Sequence, residues 1–327
     1  MSLFLDARWI GPHGIGRFAR ELLNRGGFRA LPLEGSPLSP LDPFRLSRKL
    51  ETLKARHYFS PGFNAPLGRP TSFSLTIHDL IHLEVPAERS PLKQLYYHQF
   101  LKPALHRADR VFTDSEFSKS RILFWSGVDA SKLIVTGCGV AEDFTPEGPG
   151  WPHSKPYLLF VGNLKPHKNL KGLLKAFRDA GLQREFDLRL PGTLNAAFRK
   201  QIEEQGLTAS VIAEGLLADA DLAALYRSAT ALVVPSFYEG FGLPVAEAMA
   251  SGTPVLSSCL TSLPEVGGGA VRYFDPRDHE AFVSLLQTVQ NSGEMSTLKA
   301  AGLLEARRHD WNKVARIVRT SIESALT

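Results

Sequence analysis

One stretch of this chain, YEGFGLPVAEAMASGTPV, constrains the fold more than any other. The run before it, residues 231–234, has the length and apolar character of a buried strand. Gly240 and Gly242 then open a turn, Pro244 suits the first position of a helix, and Gly252 ends that helix. The stretch therefore predicts a strand, a glycine loop and a helix start in immediate succession.

A glycine loop that leads into a helix start favours the binding of a phosphate. The first backbone N–H groups of a helix have no partner inside it, and the helix dipole adds partial positive charge there. Glu239 lies in the loop, and Glu247 lies about one turn, roughly 5 Å, inside the helix. Carboxylates beside a phosphate suit the hydroxyls of a sugar or a ribose. The structural alternative is that the dipole stabilises Glu247 and that water solvates Glu239.

The stretch resembles the E-x7-E signature of the retaining glycosyltransferases of family 4, which have the GT-B architecture. The resemblance implies an α/β fold with two Rossmann-like domains that face each other across a cleft. It also implies that Glu239 contacts the donor sugar and that Glu247 contacts the ribose of the nucleotide. Backbone groups would hold the sugar and diphosphate at Gly240, Phe241, Gly242 and Leu243.

The chain has 327 residues, of which 43% are apolar, so two domains with a core each are expected. Residues 141–156 are rich in Pro and Gly and read as a linker. We therefore predict an N-terminal, acceptor-side domain over 1–148 and a C-terminal, nucleotide-sugar-binding domain over 149–310. Residues 311–327 have helical periodicity, and the resemblance implies that this last helix crosses back to the N-terminal domain.

The first half of the chain alternates short apolar runs with helical patterns, which favours a parallel sheet with helices on both faces. The predicted strands are residues 3–5, 57–60, 72–77, 110–113 and 133–136. Gly16 lies in a G-x-G turn between the first strand and a helix, where a glycine serves either helix packing or a ligand. The resemblance to the family 4 enzymes implies that this loop approaches the donor diphosphate.

His78 ends a buried strand in the segment TIHDL. The ends of such strands present groups to ligands in open α/β sheets, although a histidine there can also be purely structural. The resemblance implies that His78 faces the donor sugar from the opposite domain.

The loop GNLKPHK joins another predicted strand to a helix start and concentrates cationic donors. It resembles the family segment in which an Arg and a Lys grip the diphosphate, and Lys168 matches the Lys. Gly162 and Asn163 belong to the same donor-binding loop, but Asn163 stands where many members have the Arg. Either Lys165 or His167 could supply the missing charge.

Two further segments have weaker signals. The resemblance implies that Pro191–Gly192 and Glu214–Leu217 border the nucleotide base. Asp219 and Asp221 have the D-x-D spacing of metal sites in other sugar transferases, but they precede a helical pattern, so we interpret them as capping residues.

The distribution of charge along the chain limits the kinds of partner that the protein can bind. The first 110 residues contain sixteen Lys and Arg against nine Asp and Glu, an excess of seven. Residues 45–56 and 93–110 are basic and amphipathic, so each either lies on anionic lipid or packs on its own domain. No nucleic-acid motif accompanies this charge, and no nucleic-acid partner is expected.

The sequence also indicates a cytoplasmic protein. The chain reaches Asp6 and Arg8 too soon for a signal peptide, and it has no run of 18 apolar residues. We expect a cytoplasmic location at the inner face of the membrane. Cys138 and Cys259 are interpreted as small buried hydrophobic residues.

These residues and the resemblance together imply a retaining, metal-independent hexosyltransferase with no cofactor. Lys168, Glu239 and His78 would be its catalytic residues. The segment LDARWIGPHGIGRFARELL is similar to bacterial mannosyl- or rhamnosyltransferases of O-antigen or exopolysaccharide assembly. A GDP-sugar donor and a glycan or lipid-linked acceptor are therefore expected. The alternatives are a sugar-nucleotide epimerase and a non-catalytic sugar- or membrane-binding subunit, for which Asn163 is the best argument.

Overall fold

Parallel strands form two separate six-stranded sheets in the computed structural model, which describes residues 3–327. Each sheet belongs to its own compact unit. The first unit comprises the chain up to Gly139 together with Asp310–Thr327, and the second comprises Val140–His309. Helices connect most of the successive strands in both units, so the predicted α/β class with two Rossmann-like sheets is confirmed.

The first sheet has the strand order β2-β1-β3-β4-β5-β6. All its pairs are parallel, and its central strands are buried on both faces. The strands agree with the predicted runs to within one residue, apart from the short β2, which was not predicted. They are β1 (Leu3–Leu5), β2 (Arg29–Ala30), β3 (His57–Ser60), β4 (Ser72–Thr76), β5 (Arg110–Thr113) and β6 (Leu133–Val135).

Within residues 3–139, six α-helices accompany this sheet. They are α1 (Gly14–Arg25), α2 (Asp42–Leu53), α3 (Ile81–Glu84), α4 (Pro91–Tyr96), α5 (Lys102–Arg107) and α6 (Glu116–Ser126). A π-helical turn, Tyr97–Leu101, joins α4 to α5 without a break, and we call the whole element the α4–α5 helix.

The second sheet has the order β12-β11-β10-β7-β8-β9, so the first strand of the unit, β7, lies beside β10 in the middle. The chain winds outward from this pair in both directions, which makes the carboxyl ends of β7 and β10 the topological switch point of the sheet. The strands are β7 (Tyr157–Leu159), β8 (Asp187–Leu190), β9 (Val211–Ala213), β10 (Ala231–Val234), β11 (Val255–Ser258) and β12 (Arg272–Phe274). The helices are α7 (Leu170–Asp179), α8 (Ala196–Glu204), α9 (Asp219–Ser228), α10 (Leu243–Ala250), α11 (Leu263–Gly267), α12 (His279–Gln287) and α13 (Ser292–Ala306).

The last helix, α14 (Trp311–Leu326), packs on α1 of the first unit. The ring of Trp311 meets the ring of Phe18 edge to face at 6.0 Å. The Arg319 guanidinium donates to the backbone carbonyls of Gly26 and Gly27, just past the end of α1. None of the helices within residues 3–327 combines the length and the apolar character needed to cross a bilayer.

The Pro- and Gly-rich segment after residue 140 lies on the second unit. The Arg227 guanidinium at the end of α9 donates to the carbonyls of Asp143, Thr145 and Pro149. The Phe144 ring packs edge to face on Tyr226 at 5.7 Å. Because of these contacts the division between the units falls after Gly139, nine residues before the border drawn from composition.

Two local interpretations need correction. Cys138 is buried as expected, but Cys259 is exposed, because it is the first residue beyond the carboxyl end of β11. Asp219 and Asp221 do not cap α9. Ala218 is its N-cap residue, and both carboxylates lie in the first turn, where the helix dipole stabilises them.

Gly16 is required for close packing at the start of α1. A Cβ atom added there would overlap the backbone of Gly11, so the loop after β1 can approach the helix only because position 16 has no side chain. This contact is a structural reason for the glycine, whether or not a ligand approaches it.

We predict that Gly16→Ala destabilises the first unit by about 2 kcal/mol, because the added methyl group forces the Gly11 loop away. Gly293→Ala in the first turn of α13 is the matched control. Its added Cβ would lie 3.4 Å from Asn291 Oδ1, an approach that a side chain can relieve. The free energy of unfolding, measured by denaturant titration, should fall only for Gly16→Ala. Equal effects of the two substitutions would contradict the packing role.

Candidate active site

The loops that follow β7 and β10 are joined at the switch point of the second sheet. The Phe237 backbone N–H donates to the His167 carbonyl at 2.7 Å, and Asn169 Nδ2 donates to the Pro235 carbonyl at 3.1 Å. Asn169 also caps α7, since its Oδ1 accepts from the Gly172 N–H. Residues on the two loops are thereby held next to each other.

Lys168 and Glu239, which lie 71 residues apart in sequence, form an ion pair between these loops. Lys168 Nζ lies 2.7 Å from both carboxylate oxygens of Glu239. The two side chains are only 14% and 10% exposed, so water screens the pair weakly. The structure therefore brings together two of the residues that the sequence predicts as catalytic.

Three residues that sequence reasoning missed hold the Glu239 loop in place. The Ser236 hydroxyl donates to Glu239 Oε1 at 2.7 Å, and Thr261 Oγ1 accepts from the Glu239 N–H at 3.1 Å. The buried Ser262 hydroxyl bonds to the carbonyls of both Glu239 and Phe241. Ser236 could have been found from its position at the end of β10. Thr261 and Ser262 come from the loop after β11 and have no local signal.

The start of α10 has the predicted geometry with a shift of one residue. Leu243 is the first helical residue and Pro244 the second. Gly242 is the N-cap residue with φ +112°, and a Cβ atom there would lie 2.8 Å from Leu263 Cδ2, so only glycine fits. Phe241 is buried, and its ring meets His309 edge to face at 5.6 Å. Gly240 lies between the ion-paired Glu239 and this turn.

Glu247 is buried in the middle of α10. The Tyr226 hydroxyl, which comes from α9, donates to Glu247 Oε2 at 3.1 Å. The carboxylate thus has a protein hydroxyl as its partner, the same kind of donor that a ribose offers.

A cavity of about 240 Å³ opens between the loops that follow β7 and β8. Its lining includes Gly162, Asn163, Pro191 and Gly192. Residues 214–217, which the resemblance also assigned to the base, are not among the lining residues. The Glu214 carboxylate instead pairs with the Arg189 guanidinium at 2.7 Å.

Lys165 and His167 differ in their ability to replace the missing Arg. His167 is buried beneath the loop, whereas Lys165 is exposed. The Asn163 side chain accepts from the Lys165 backbone N–H at 3.2 Å and so shapes the turn that presents Lys165. Geometry therefore favours Lys165 as the second cation.

His78 lies in the first unit, where it ties together the ends of three strands. Its Nδ1 lies 2.6 Å from Asp114 Oδ2 beyond β5, and its Nε2 lies 2.9 Å from the Pro61 carbonyl beyond β3. A carbonyl can only accept, so Nε2 carries a proton and Nδ1 shares one with the carboxylate. Burial alone would lower the pKa of His78, but the charge and hydrogen bond of Asp114 outweigh it and raise that pKa. The expectation that His78 faces a sugar stays a prediction.

The switch point of the first sheet, between β1 and β3, holds a buried polar network. The Arg8 guanidinium bridges the carboxylates of Asp6 and Asp42, and Asn64 Nδ2 donates to both of them. Burial alone would raise the pKa of Asp6, but its bonds to Arg8 lower it. The Trp9 indole N–H donates to Asn64 Oδ1 at 2.7 Å. The protein's own side chains thus occupy this crevice.

Within residues 3–327, no group of three or more His, Cys, Asp or Glu is placed to hold a metal ion.

We predict that Asp114→Asn lowers the pKa of His78, because it removes the negative charge that stabilises the imidazolium. The raised pKa means that the pair stabilises the fold fully below the ordinary histidine pKa of 6.5. This contribution is lost as the pH rises through the pKa of His78 in the folded protein. The free energy of unfolding should therefore fall less with rising pH in the variant than in wild type. Titration of the histidine rings by NMR measures the pKa of His78 in wild type and in the variant.

His57 is the internal control for this titration. Burial lowers its pKa to about 4, and the charge that acts on it comes from Asp109. Its titration should be the same in both proteins. An unchanged His78 pKa in Asp114→Asn would contradict the pairing.

Comparison with known proteins gives a family match that lies within the second unit. The family model described as glycosyl transferases group 1 matches residues 142–302, which include both loops of the switch point. The O-antigen chain mannosyltransferase B of Escherichia coli is 32% identical over 292 residues, which cover 83% of this chain and 75% of that protein.

Solved structures extend the comparison to the whole fold. The sucrose-phosphate synthase of Thermosynechococcus elongatus has a TM-score of 0.79 at 18% identity and covers 98% of both chains. WaaG, a glycosyltransferase involved in lipopolysaccharide biosynthesis, has a TM-score of 0.78 at 13% identity and covers 98% of this chain and 99% of its own. These similarities confirm the predicted GT-B class. The chain belongs to the family of group 1 glycosyl transferases.

Proposed function

We propose that this chain transfers mannose, or a closely related hexose, from a GDP-sugar to a hydroxyl group of a growing glycan or lipid-linked acceptor. The observation that supports this most directly is the Lys168–Glu239 ion pair at the switch point of the second sheet. It offers a cation for a phosphate and a carboxylate for sugar hydroxyls at one place. The similarity to an O-antigen chain mannosyltransferase favours mannose as the sugar and a glycan such as an O-antigen chain as the acceptor.

The donor would bind to the second unit. The crevice of the first sheet is filled by the Asp6 and Arg8 network, whereas the second sheet has an open cavity beside its switch point. We assign the nucleoside to that cavity, lined by Gly162 and Asn163, and the diphosphate to the start of α10. Glu247 would accept from the ribose in place of the Tyr226 hydroxyl.

Donor binding must open the ion pair. Lys168 would turn to the diphosphate, and Glu239 would accept from the hydroxyls of the sugar. As the bond between C1 and the phosphate oxygen breaks, charge develops on the leaving diphosphate, and Lys168 and the α10 backbone would stabilise it. These groups can carry that charge without a bound metal.

Retention of configuration follows in this proposal from attack on the same side as the leaving group. The acceptor oxygen forms the new bond to C1, and its proton passes to the departing phosphate oxygen. His78 would approach the sugar from the first unit, as an imidazolium whose charge Asp114 balances.

The proposed acceptor places the protein in the cytoplasm at the inner face of the membrane. With a lipid-linked acceptor, the enzyme would work where anionic lipid is present. The Lys and Arg excess of the first 110 residues suits such a surface.

We predict that Glu239→Gln lowers the turnover of GDP-mannose at least about 100-fold, because the amide cannot replace the carboxylate at the sugar. The substitution keeps the size of the side chain and its bond to Ser236, but it leaves Lys168 without its counter-charge, so the melting temperature should fall and activity is compared at a temperature where both proteins are folded. Transfer to a glycan acceptor is measured by release of GDP and by mass spectrometry of the product.

Glu280→Ala, an exposed acid in the first turn of α12, is the control and should keep full activity. Near-normal transfer by Glu239→Gln would contradict the role given to the loop. Isomerisation of the donor without an acceptor would instead support an epimerase, and binding without turnover a non-catalytic subunit.

We also predict that Lys165→Ala weakens GDP binding about tenfold, the loss expected for one hydrogen bond to a charged group. Adding Asn163→Arg to this variant should restore the affinity, because it returns a cation to the same turn. The rise in melting temperature with GDP measures the binding. Lys171→Ala on the exposed face of α7 is the control. If GDP stabilised wild type and Lys165→Ala equally, Lys165 would not be the second cation.

A further inference from the structure

Two buried charges lie where β8 and β9 of the second sheet end. Arg189 is the next-to-last residue of β8, and Glu214 is the first residue after β9. Their side chains are only 9% and 11% exposed, and the Arg189 guanidinium lies 2.7 Å from the Glu214 carboxylate. Parallel strands that are covered on both faces usually carry apolar residues at such positions. A pair of opposite charges here therefore needs an explanation.

A gain in stability does not explain the pair. Taking two charges out of water costs free energy that their attraction only balances, so an apolar pair of similar volume would stabilise the fold as well. A charged pair adds direction instead. The guanidinium is planar and presents its N–H groups in a rigid fork, so it meets a carboxylate in few orientations. The pair therefore fixes the ends of two strands relative to each other more closely than apolar contacts would.

Three further contacts hold Arg189 in place. Its guanidinium lies 4.8 Å from the centroid of the Tyr157 ring, donates to the Pro152 carbonyl at 3.3 Å and lies 3.8 Å from the Asp187 carboxylate. Tyr157 belongs to β7 and is fully buried. Through Tyr157 and Glu214, one side chain thus connects β7, β8 and the end of β9, which are neighbours in the sheet.

The backbone closes the same junction. The Glu214 N–H donates to the Leu190 carbonyl at 2.8 Å, and Gly192 and Gly215 form an antiparallel bridge with hydrogen bonds of 2.5 and 3.1 Å. Both glycines have positive φ, +93° and +76°, a region that other residues adopt only at a cost. The loops after β8 and β9 are therefore joined where they leave the sheet, and the Arg189–Glu214 pair lies next to this bridge in sequence.

The segment that this junction holds is one side of the cavity to which we assign the nucleoside. Within residues 3–327, residues 190–194 line the cavity on this side, and we call them the wall; residues 162–164 line the other side. None of these eight residues is charged, and Asn163 and Thr193 supply the only polar side chains. Such a lining distinguishes bases mainly through the positions of its backbone groups and apolar surfaces. Those positions depend on how the wall is held.

We propose that Arg189 is a positioning residue for the nucleobase. By holding Glu214, it sets the spacing between the wall and the loop after β7, and this spacing determines which base the cavity prefers. Arg189 itself is not among the residues that line the cavity. The inference rests on the proposed GDP-sugar donor, for which the preferred base is guanine, and adds a residue on which that preference depends.

The test is isothermal titration calorimetry of the full chain with GDP, UDP and inorganic pyrophosphate. Arg189→Met should lower the affinity for GDP about tenfold, the size of effect expected of a residue that acts through others. The affinity for UDP should change much less, because the smaller base makes fewer contacts with the wall. Pyrophosphate should bind equally to both proteins, because the groups proposed to hold it, Lys168 and the start of α10, lie after other strands. A merely structural ion pair would not change the ratio of GDP to UDP affinity.

A second variant separates positioning from stability. Arg189→Met alone leaves the Glu214 carboxylate buried without its partner, which lowers the melting temperature. The double variant Arg189→Met, Glu214→Leu removes both charges and should melt close to wild type, but with the same loss of preference for GDP. Arg227→Met is the matched control, because its guanidinium also donates to carbonyls of the segment before β7 but comes from the end of α9. It should keep the wild-type affinities.

An equal ratio of GDP to UDP affinity in wild type and in the double variant would overturn the role of Arg189. An equal loss of affinity for all three ligands would also overturn it, because it would show a general loosening of the unit. If wild type bound UDP more tightly than GDP, the proposed donor alone would be wrong, and a changed ratio in the double variant would still support the positioning role. Wild type that bound neither nucleotide would contradict both proposals.

Discussion

The candidate site depends on one ion pair that the topology of the second sheet makes possible. Lys168 and Glu239 lie far apart in the chain, but their loops leave β7 and β10, which are neighbours only because the sheet is wound outward from its middle. The pair is largely removed from water. Leaving either charge without its partner in such a place is costly, so a ligand that separates the two must supply an anion for one and a hydrogen-bond donor for the other. A sugar attached to a diphosphate has both groups, which links the fold to the substrate class.

The loop that presents Glu239 is held by contacts that a flexible glycine loop would lack. A single proton on Ser262 is shared between the carbonyls of Glu239 and Phe241, at 3.0 and 2.8 Å. Thr261 accepts the Glu239 N–H from a backbone with φ +59°, a region that few residues other than glycine adopt. Strain of this kind persists where the surroundings fix it, and it is frequent at functional sites. The loop after β11 therefore fixes the position of the carboxylate although it supplies no group to the ion pair.

The sequence allowed the elements around the site to be predicted because their signals are local. The apolar run 231–234 is a strand, and the Gly-Leu-Pro pattern marks the start of α10 to within one residue. The partners could not be predicted in the same way, since Tyr226 meets Glu247, and Asp114 meets His78, only after helices and strands have packed. Exposure was also ambiguous from pattern alone. Cys259 follows a strand that is buried along its whole length, and one further residue takes the chain to the surface.

The balance of charge at the switch point explains why the residue at position 163 matters. With the pair closed, the charges of Lys168 and Glu239 cancel, and α10 itself carries the buried acid Glu247. An arriving diphosphate adds negative charge, while Lys168 is released from Glu239 to meet it. An Arg at position 163 would add a second cation, but Asn163 instead uses its side chain to shape the turn before Lys165. The proposed site therefore has to spread the charge of the diphosphate over Lys168, Lys165 and the backbone N–H groups at the start of α10, whose partial charges are fixed in direction and need no reorganisation as the sugar leaves.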